Sequence, residues 1–158
     1  MNKLLLSILI FICCSGFSYG EDIIVVDGDT IKVKKEGKWY YCRLYGIDAP
    51  ERSQPMGVES QALLAHLIKE SEKSLLIMSR GKDKYGRVIV KLYNMTSPTT
   101  GVELNQFMVS SGFAWWYKQY SSDNGGYKVA QEVAQRRKLG IWSTKDPIPP
   151  WIYRKKKK

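Results

Sequence analysis

Three short polar clusters hold the acidic and basic side chains of this sequence that are best suited to chemistry. Residues 27–30 read DGDT between two apolar runs, residues 43–51 run from Arg43 to Glu51, and residues 83–87 read DKYGR. Together they supply carboxylate oxygens for a hard cation, a carboxylate that can accept a proton from water, and guanidinium groups that bind phosphate oxygens. Phosphodiester hydrolysis requires this combination, because negative charge develops on the phosphorane.

Each cluster also has a purely structural interpretation, which stays open while the cluster is considered alone. Asp27 and Gly28 between apolar runs are typical of a hairpin turn, in which Gly28 is free to adopt a positive φ. Asp48 and Glu51 have the spacing of a helix capping box. Residues 83–87 are equally compatible with a basic hairpin loop.

Considered together, the three clusters predict distinct chemical roles. Asp29 and Asp48 are expected to hold the cation, and Glu51 to act on the attacking water. Arg43 and Arg87 are expected to stabilise the extra negative charge, because guanidinium groups stay charged and bind phosphate in a bidentate fork.

The patterning predicts five short strands and three helices to position these clusters. Strands are marked by alternating apolar residues, helices by apolar residues at helical spacing, and the last two helices end at Gly112 and Gly140. A helix inserted after the third strand and two helices at the end favour an α+β fold, a small closed β-barrel of the OB-fold type. Periodicity alone does not distinguish this barrel from other small β-rich folds. The strands are expected within residues 23–33 (two strands), 39–47, 74–78 and 88–93, and the helices at 56–70, 104–111 and 127–138.

The two ends of the chain differ in composition from the domain at 21–142. Residues 1–20 combine a lysine, an apolar stretch and small residues near the end, as in a cleavable secretory signal peptide. A membrane anchor is a weaker alternative, since the apolar run is short for a spanning helix. A lipoprotein is also weaker, because residues 11–14 read FICC and place no small residue before the acceptor cysteine. Residues 143–158 contain a proline cluster and end in a basic run, which predicts a peripheral tail without regular structure.

Length and charge limit the classes of function. At 158 residues with 44% hydrophobic content, the chain is large enough for one domain. Without residues 1–20 it has 24 basic and 15 acidic side chains, a net charge of +9, which favours an anionic partner such as nucleic acid. Part of that charge lies in residues 154–158, which alone would be a solvated tail. Cys42 is then the only thiol, which excludes a disulfide within the mature chain.

The three clusters resemble, in the same order, the signature segments of staphylococcal (micrococcal) nuclease homologues. The similar segments are residues 25–30, 43–51 and 83–87, and the resemblance covers about residues 23–142. It continues at positions where the family places its two later helices. These are Leu104 and Asn105, Met108 and Val109, Gly112 to Ala114, Ala130 and Gln131, Ala134 and Gln135, and Gly140 to Trp142.

The resemblance implies a five-stranded OB barrel with three helices, one calcium ion, and cleavage of DNA and RNA to 3′-phosphate and 5′-hydroxyl ends. One calcium ligand would be the main-chain carbonyl of Ala49, where the family archetype has threonine, so the change should spare coordination. The residues implied are Asp29, Asp48 and Ala49 for calcium, Arg43, Glu51 and Arg87 for catalysis, and Lys84, Tyr85 and Tyr117 for substrate binding.

Two other functions are compatible with such a chain. A catalytically silent OB-fold module would bind nucleic acid without cutting it, and a basic adhesion protein would act through its lysine tail. The presence of all five charged site residues favours the enzyme. We expect a monomer that is secreted or periplasmic, acts on DNA and RNA, has no stable protein partner, and does not span a membrane after signal cleavage.

Overall fold

The computed structural model describes residues 22–121 and 126–156, which form a mixed β-sheet with helices packed against it. The predicted signal peptide lies outside these residues. The strands are β1 (Ile23–Val25), β2 (Thr30–Lys35), β3 (Lys38–Leu44), β4 (Ile47–Asp48), β5 (Leu75–Lys82), β6 (Val88–Ser97), β7 (Thr100–Glu103) and β8 (Trp115–Trp116). The helices are α1 (Gly57–Glu70), α2 (Leu104–Ser110), α3 (Gly126–Arg136) and α4 (Pro150–Lys156), with 3₁₀ turns at Lys118–Tyr120 and Gly140–Ser143.

The main sheet has the strand order β1-β2-β3-β6-β5, with β7 paired to β6. Neighbouring strands are antiparallel except β3 and β6, which run parallel. A second small sheet pairs β4 with β8. This α+β arrangement agrees with the predicted fold class, and it brings the ends of β2, β3 and β6 to the same region.

Alternation along the strands explains which face is buried. In β2, Ile31 and Val33 are buried, whereas Lys34, which follows Val33, is exposed. Since successive side chains of a strand point to opposite faces, the apolar residues form one continuous inner face. That face packs with α1 and α2 in a core that includes Leu44, Leu64, Val90, Leu92, Met108 and Val109.

The predicted elements are confirmed with local corrections. The third strand is interrupted after Leu44, because Gly46 has a φ of +75° and starts β4 in a new direction. β7 and β8 were not predicted. Within the described residues, no helix is long and apolar enough to cross a membrane.

The prediction for residues 143–158 was wrong in one respect, because α4 is a regular helix at Pro150–Lys156. Proline is tolerated in the first turn of a helix, where its missing N–H would have no intrahelical acceptor. The described residues therefore contain four α-helices and not three.

Candidate active site

A cleft of about 800 Å³ opens where the three polar clusters meet. Main-sheet residues form one side, and the loop between β5 and β6 forms another. All nine residues predicted for the site line this cleft: Asp29, Arg43, Asp48, Ala49, Glu51, Lys84, Tyr85, Arg87 and Tyr117.

Two buried carboxylates lie at the base of the cleft. Asp29 directly precedes β2, and its carboxylate accepts hydrogen bonds from the Ala49 main-chain N–H at 2.6 Å and from the Thr30 hydroxyl at 3.0 Å. Asp48 ends β4 and accepts a bond from Arg43 Nη2 at 2.7 Å. Arg43 also pairs with Asp29, so one guanidinium joins both carboxylates. The first and second clusters are therefore held together by direct contacts.

Gly28 shows why the first cluster is both a turn and part of the site. β1 and β2 do form an antiparallel hairpin, and Asp27 accepts the N–H of Asp29 at 3.0 Å within the turn. Gly28, however, is not one of the glycines with positive φ. A Cβ added there would lie 1.9 Å from Ser60 Oγ and 2.7 Å from Ala49 Cβ. Close approach of the backbone to Ala49, not a positive φ, therefore requires glycine.

Glu51 does not cap a helix, so the capping-box interpretation of Asp48 and Glu51 is wrong. α1 begins at Gly57, after Met56. The Glu51 main chain instead exchanges hydrogen bonds with Gln54, whose Oε1 accepts the Glu51 N–H at 3.1 Å and whose N–H donates to the Glu51 carbonyl at 2.7 Å. This local turn leaves the carboxylate of Glu51 in the cleft, with 40% of the side chain exposed.

Arg43 reaches the cleft from β3, where it pairs with Thr30 of β2. Only 14% of its side chain is exposed. Burial lowers the pKa of the Arg43 guanidinium from its ordinary value, while Asp48 and Asp27 act in the opposite direction. A desolvated guanidinium interacts strongly with any anion that enters, because solvent screens the charge less.

Arg87 is presented by a hairpin loop that Asp83 organises. One Asp83 oxygen accepts the N–H groups of Tyr85 at 2.9 Å and Arg87 at 3.0 Å, and the other accepts Arg87 Nε at 2.7 Å. Burial alone would raise the pKa of Asp83, but the hydrogen bonds from Arg87 and Tyr85 outweigh it and lower the pKa below its ordinary value. The hairpin-loop interpretation of this cluster is thus correct, and the same loop carries a cation to the cleft.

Aromatic rings border the cleft on two sides. Tyr85 is 73% exposed, with the cations of Lys84 and Arg87 at 5.1 and 5.7 Å from its ring centroid. Tyr117 lies half-buried beside Tyr120, with ring centroids 4.8 Å apart. Burial and the nearby Asp48 carboxylate raise the pKa of Tyr117. The exposed Tyr85 ring is suited to stack on a base, whereas the Tyr117 ring already stacks on Trp151 and can offer its hydroxyl to the substrate.

Arg154 of α4 is a cleft residue that sequence reasoning missed. Its Nη2 lies 2.7 Å from Asp48, and its Nη1 lies 2.7 Å from Glu51 and 3.2 Å from Asp48. Hydrogen bonding to Asp48 raises the pKa of Arg154 despite partial burial. The interpretation of residues 154–158 as a solvated tail is therefore wrong for Arg154, while Lys157 and Lys158 lie outside the described residues. No local signal in residues 150–156 identifies this role, because the contacts that dock α4 are with distant residues such as Tyr117 and Ser53.

The donor set of the cleft fits a hard cation. Asp29 and Asp48 provide buried carboxylates, and the main chain of Ala49, which donates its N–H to Asp29, lies beside them. No group of three or more His, Cys, Asp or Glu side chains is placed to share a metal in the part of the chain that the structure describes. Two carboxylates with a carbonyl and water form an all-oxygen site of the kind that calcium accepts.

Buried carboxylates, the half-exposed Glu51 and four arginines surround one cleft of this α+β domain, and such a cleft suits a phosphodiester substrate. A family model described as staphylococcal nuclease homologue matches residues 41–144. The chain belongs to this family, and its fold is the OB-fold.

Three relatives extend the match over most of the chain. An Escherichia coli protein named uncharacterized endonuclease is 39% identical over 139 residues, 88% of this chain and 86% of its own length. A Haemophilus influenzae protein of the same name is 36% identical and covers 99% of this chain and 88% of itself. Micrococcal nuclease of Shigella flexneri is 33% identical, covering 88% and 82%. The protein is accordingly a nuclease, a hydrolase that acts on nucleic acid.

Proposed function

We propose that this endonuclease is secreted, depends on calcium, and cuts both DNA and RNA to give 3′-phosphate and 5′-hydroxyl ends. The observation that carries the proposal is the convergence of Asp29, Asp48 and Glu51 with Arg43 and Arg87 around one cleft. The family is generally metal-dependent, and the all-oxygen donor set favours calcium. Residues 1–20 support export, because they have the composition of a signal peptide.

In this proposal the carboxylates have two roles, metal binding and proton transfer. Asp29, Asp48 and the carbonyl of Ala49 would hold the ion, which would supply positive charge beside the phosphate. Glu51 orients a water molecule and takes its proton as the oxygen attacks phosphorus. The bond from phosphorus to O5′ breaks, and O5′ leaves as a hydroxyl after taking a proton from solvent.

The arginines stabilise negative charge on the phosphate, and the residues at the border of the cleft position the nucleotide. Arg43 and Arg87 bind the phosphate oxygens and interact more strongly as negative charge grows in the transition state. Lys84, Tyr85 and Tyr117 line the cleft where they can contact the nucleotide on either side. Rings that stack on any base fit an enzyme that cuts without strong sequence preference.

The direct test is degradation of plasmid DNA and of RNA with calcium, with magnesium or with chelator. We expect turnover with calcium and little with magnesium, since a flexible oxygen site suits the larger ion. Direct labelling of the products by a 5′-hydroxyl kinase reports the ends. Binding without degradation in calcium would favour the silent binding module instead. Export is tested separately, by fractionating the host culture and sequencing the protein's N-terminus, which should begin near Glu21.

Three variants test the proposed roles. Glu51→Gln and Arg87→Ala should each lower turnover by about 10²-fold or more, the scale of losing an acid–base group or a charge stabiliser. Asp29→Ala should instead raise the calcium concentration that half-maximal activity needs. Glu59→Gln and Arg136→Ala make the same chemical changes at exposed positions outside the cleft and serve as controls. Near-normal turnover of folded Glu51→Gln and Arg87→Ala would show that these roles are wrong.

A further inference from the structure

The helix α4 brings Arg154 next to Glu51 and Asp48, although more than 100 residues of chain separate them. In the proposed function, Glu51 orients the attacking water molecule and takes its proton. A guanidinium 2.7 Å from its carboxylate therefore lies close to where the scissile phosphate must sit. No step of the reaction proposed above uses Arg154.

Contacts that do not involve the carboxylates fix α4 in this position. The Trp151 ring stacks on the Tyr117 ring, with centroids 5.2 Å apart and planes within 5°. Tyr153 donates its hydroxyl to the Ser53 carbonyl at 3.0 Å, and the Gln54 side-chain amide donates to the carbonyl of Ile148. Because these contacts hold the helix, Arg154 reaches the cleft from an ordered element and not from a free tail.

The hydrogen bonds of Arg154 leave donors for a substrate. A guanidinium has five N–H donors in a planar fork, and the three bonds to Asp48 and Glu51 use donors on Nη1 and Nη2. Arg154 lines the cleft, and 43% of its side chain is exposed. A planar fork of this kind matches the oxygens of a phosphate, whereas a lysine would act only as a point charge.

We propose that Arg154 is a further substrate-binding residue of this nuclease, contacting a phosphate of the bound strand, and that α4 is the element that positions it. The stacked rings of Tyr117 and Trp151 then form one wall beside that phosphate. This inference rests on the proposed function, since it assigns the cleft to a nucleic-acid strand.

Binding can be measured apart from turnover with a strand that resists cleavage. The probe is a fluorescent single-stranded 2′-O-methyl phosphorothioate octanucleotide, titrated with the purified full chain in calcium over a series of salt concentrations. Arg154→Ala should weaken binding by about tenfold or more, the scale of losing hydrogen bonds to a charged group. The slope of log K against log salt should fall by about 0.7, the value for one phosphate contact on a single strand.

Matched variants separate a specific contact from lost charge. Lys155→Ala removes the same charge from the same helix at an exposed position that does not line the cleft, and it should leave affinity near that of the unaltered protein. The probe affinity of Arg154→Lys should lie between those of Arg154→Ala and Lys155→Ala, because lysine keeps the charge but lacks the planar guanidinium fork. Trp151→Leu keeps the charge and removes the stacking on Tyr117, so it should weaken probe binding and raise KM if α4 positions Arg154.

Two results would overturn the inference. One is an affinity and salt slope of Arg154→Ala equal to those of Lys155→Ala. The other is tighter binding or faster hydrolysis by Arg154→Ala, which would mean that Arg154 only covers the carboxylates and must leave before substrate binds. Failure of the unaltered protein to degrade DNA in calcium would instead count against the proposed function, while probe binding would still report on Arg154.

Discussion

Replacing Asn105 by alanine should strongly destabilise the fold beside the cleft. Asn105 is fully buried in α2. Its Oδ1 accepts the Leu92 N–H at 3.0 Å, and its Nδ2 donates to the carbonyls of Tyr45 at 3.0 Å and Val90 at 3.1 Å. These bonds tie the central strand β6 to the turn that separates Arg43 from β4. The side chain thus holds two walls of the site in register.

The expected loss of unfolding free energy follows from the number of hydrogen bonds that the Asn105 side chain makes. Three hydrogen bonds contribute about 1 kcal/mol each, and the Leu92 N–H left in the core adds a desolvation cost of about 1–3 kcal/mol. The Val90 carbonyl still accepts the Tyr45 N–H at 2.8 Å, which offsets part of this. We therefore expect Asn105→Ala to lower the free energy of unfolding by about 3–5 kcal/mol. Tm should fall by about 10–20 °C for a domain of this size.

Urea unfolding followed by tryptophan fluorescence measures this loss, with the m-value checked for a change in the unfolded state. Asn94→Ala is the matched control, because the half-buried Asn94 accepts one side-chain bond, from Ser74 at 2.6 Å. The control should lose about 1 kcal/mol. If Asn105→Ala loses no more than Asn94→Ala, the buried hydrogen bonds do not carry the stability assigned to them.

Two further changes test the loops that hold the site. Gly28→Ala should lower the free energy of unfolding by about 1–3 kcal/mol, because its Cβ would clash with Ser60 and Ala49. It should also raise the calcium concentration needed for activity. Thermal unfolding measures the first effect and calcium titration the second. Asp83→Asn should lower turnover by about tenfold or more, since Asp83 orients Arg87. The lowered pKa of Asp83 means that this anchor is complete above the ordinary value of 3.8 and is lost as pH falls through the lowered pKa. The difference in unfolding free energy between Asp83→Asn and the unaltered protein should therefore shrink as the pH falls below 3.8 and vanish only below the lowered pKa.

Local patterning was enough to predict most elements, whereas the five charged residues of the site were predicted from the three clusters taken together. Alternating apolar residues in β2 and apolar residues at helical spacing in α1 are signals that a single stretch of chain carries. The site residues lie at the ends of these elements, so the predicted elements also brought the clusters together. Each cluster alone was compatible with a structural role, and only the order of the three clusters indicated the nuclease family.

Elements that depend on distant partners could not be predicted in the same way. β8 has only two residues and is a strand because it pairs with β4, some 70 residues earlier in the chain. α4 has a basic, proline-containing sequence that would look the same in a solvated tail. Its docking depends on Tyr117, Ser53 and Gln54, which no property of residues 150–156 identifies.

The structural and functional interpretations of a motif need not exclude each other. Residues 27–30 form a hairpin turn, and the same turn places the Asp29 carboxylate against the main chain of Ala49. Residues 83–87 form a hairpin loop, and the hydrogen bonds of Asp83 that close it also hold Arg87. Only the capping-box interpretation fails, because it required a helix start at a position where the chain makes a turn with Gln54. A turn restricts its side chains to a few directions, and a site that must align charge with a phosphate to within an ångström needs that restriction.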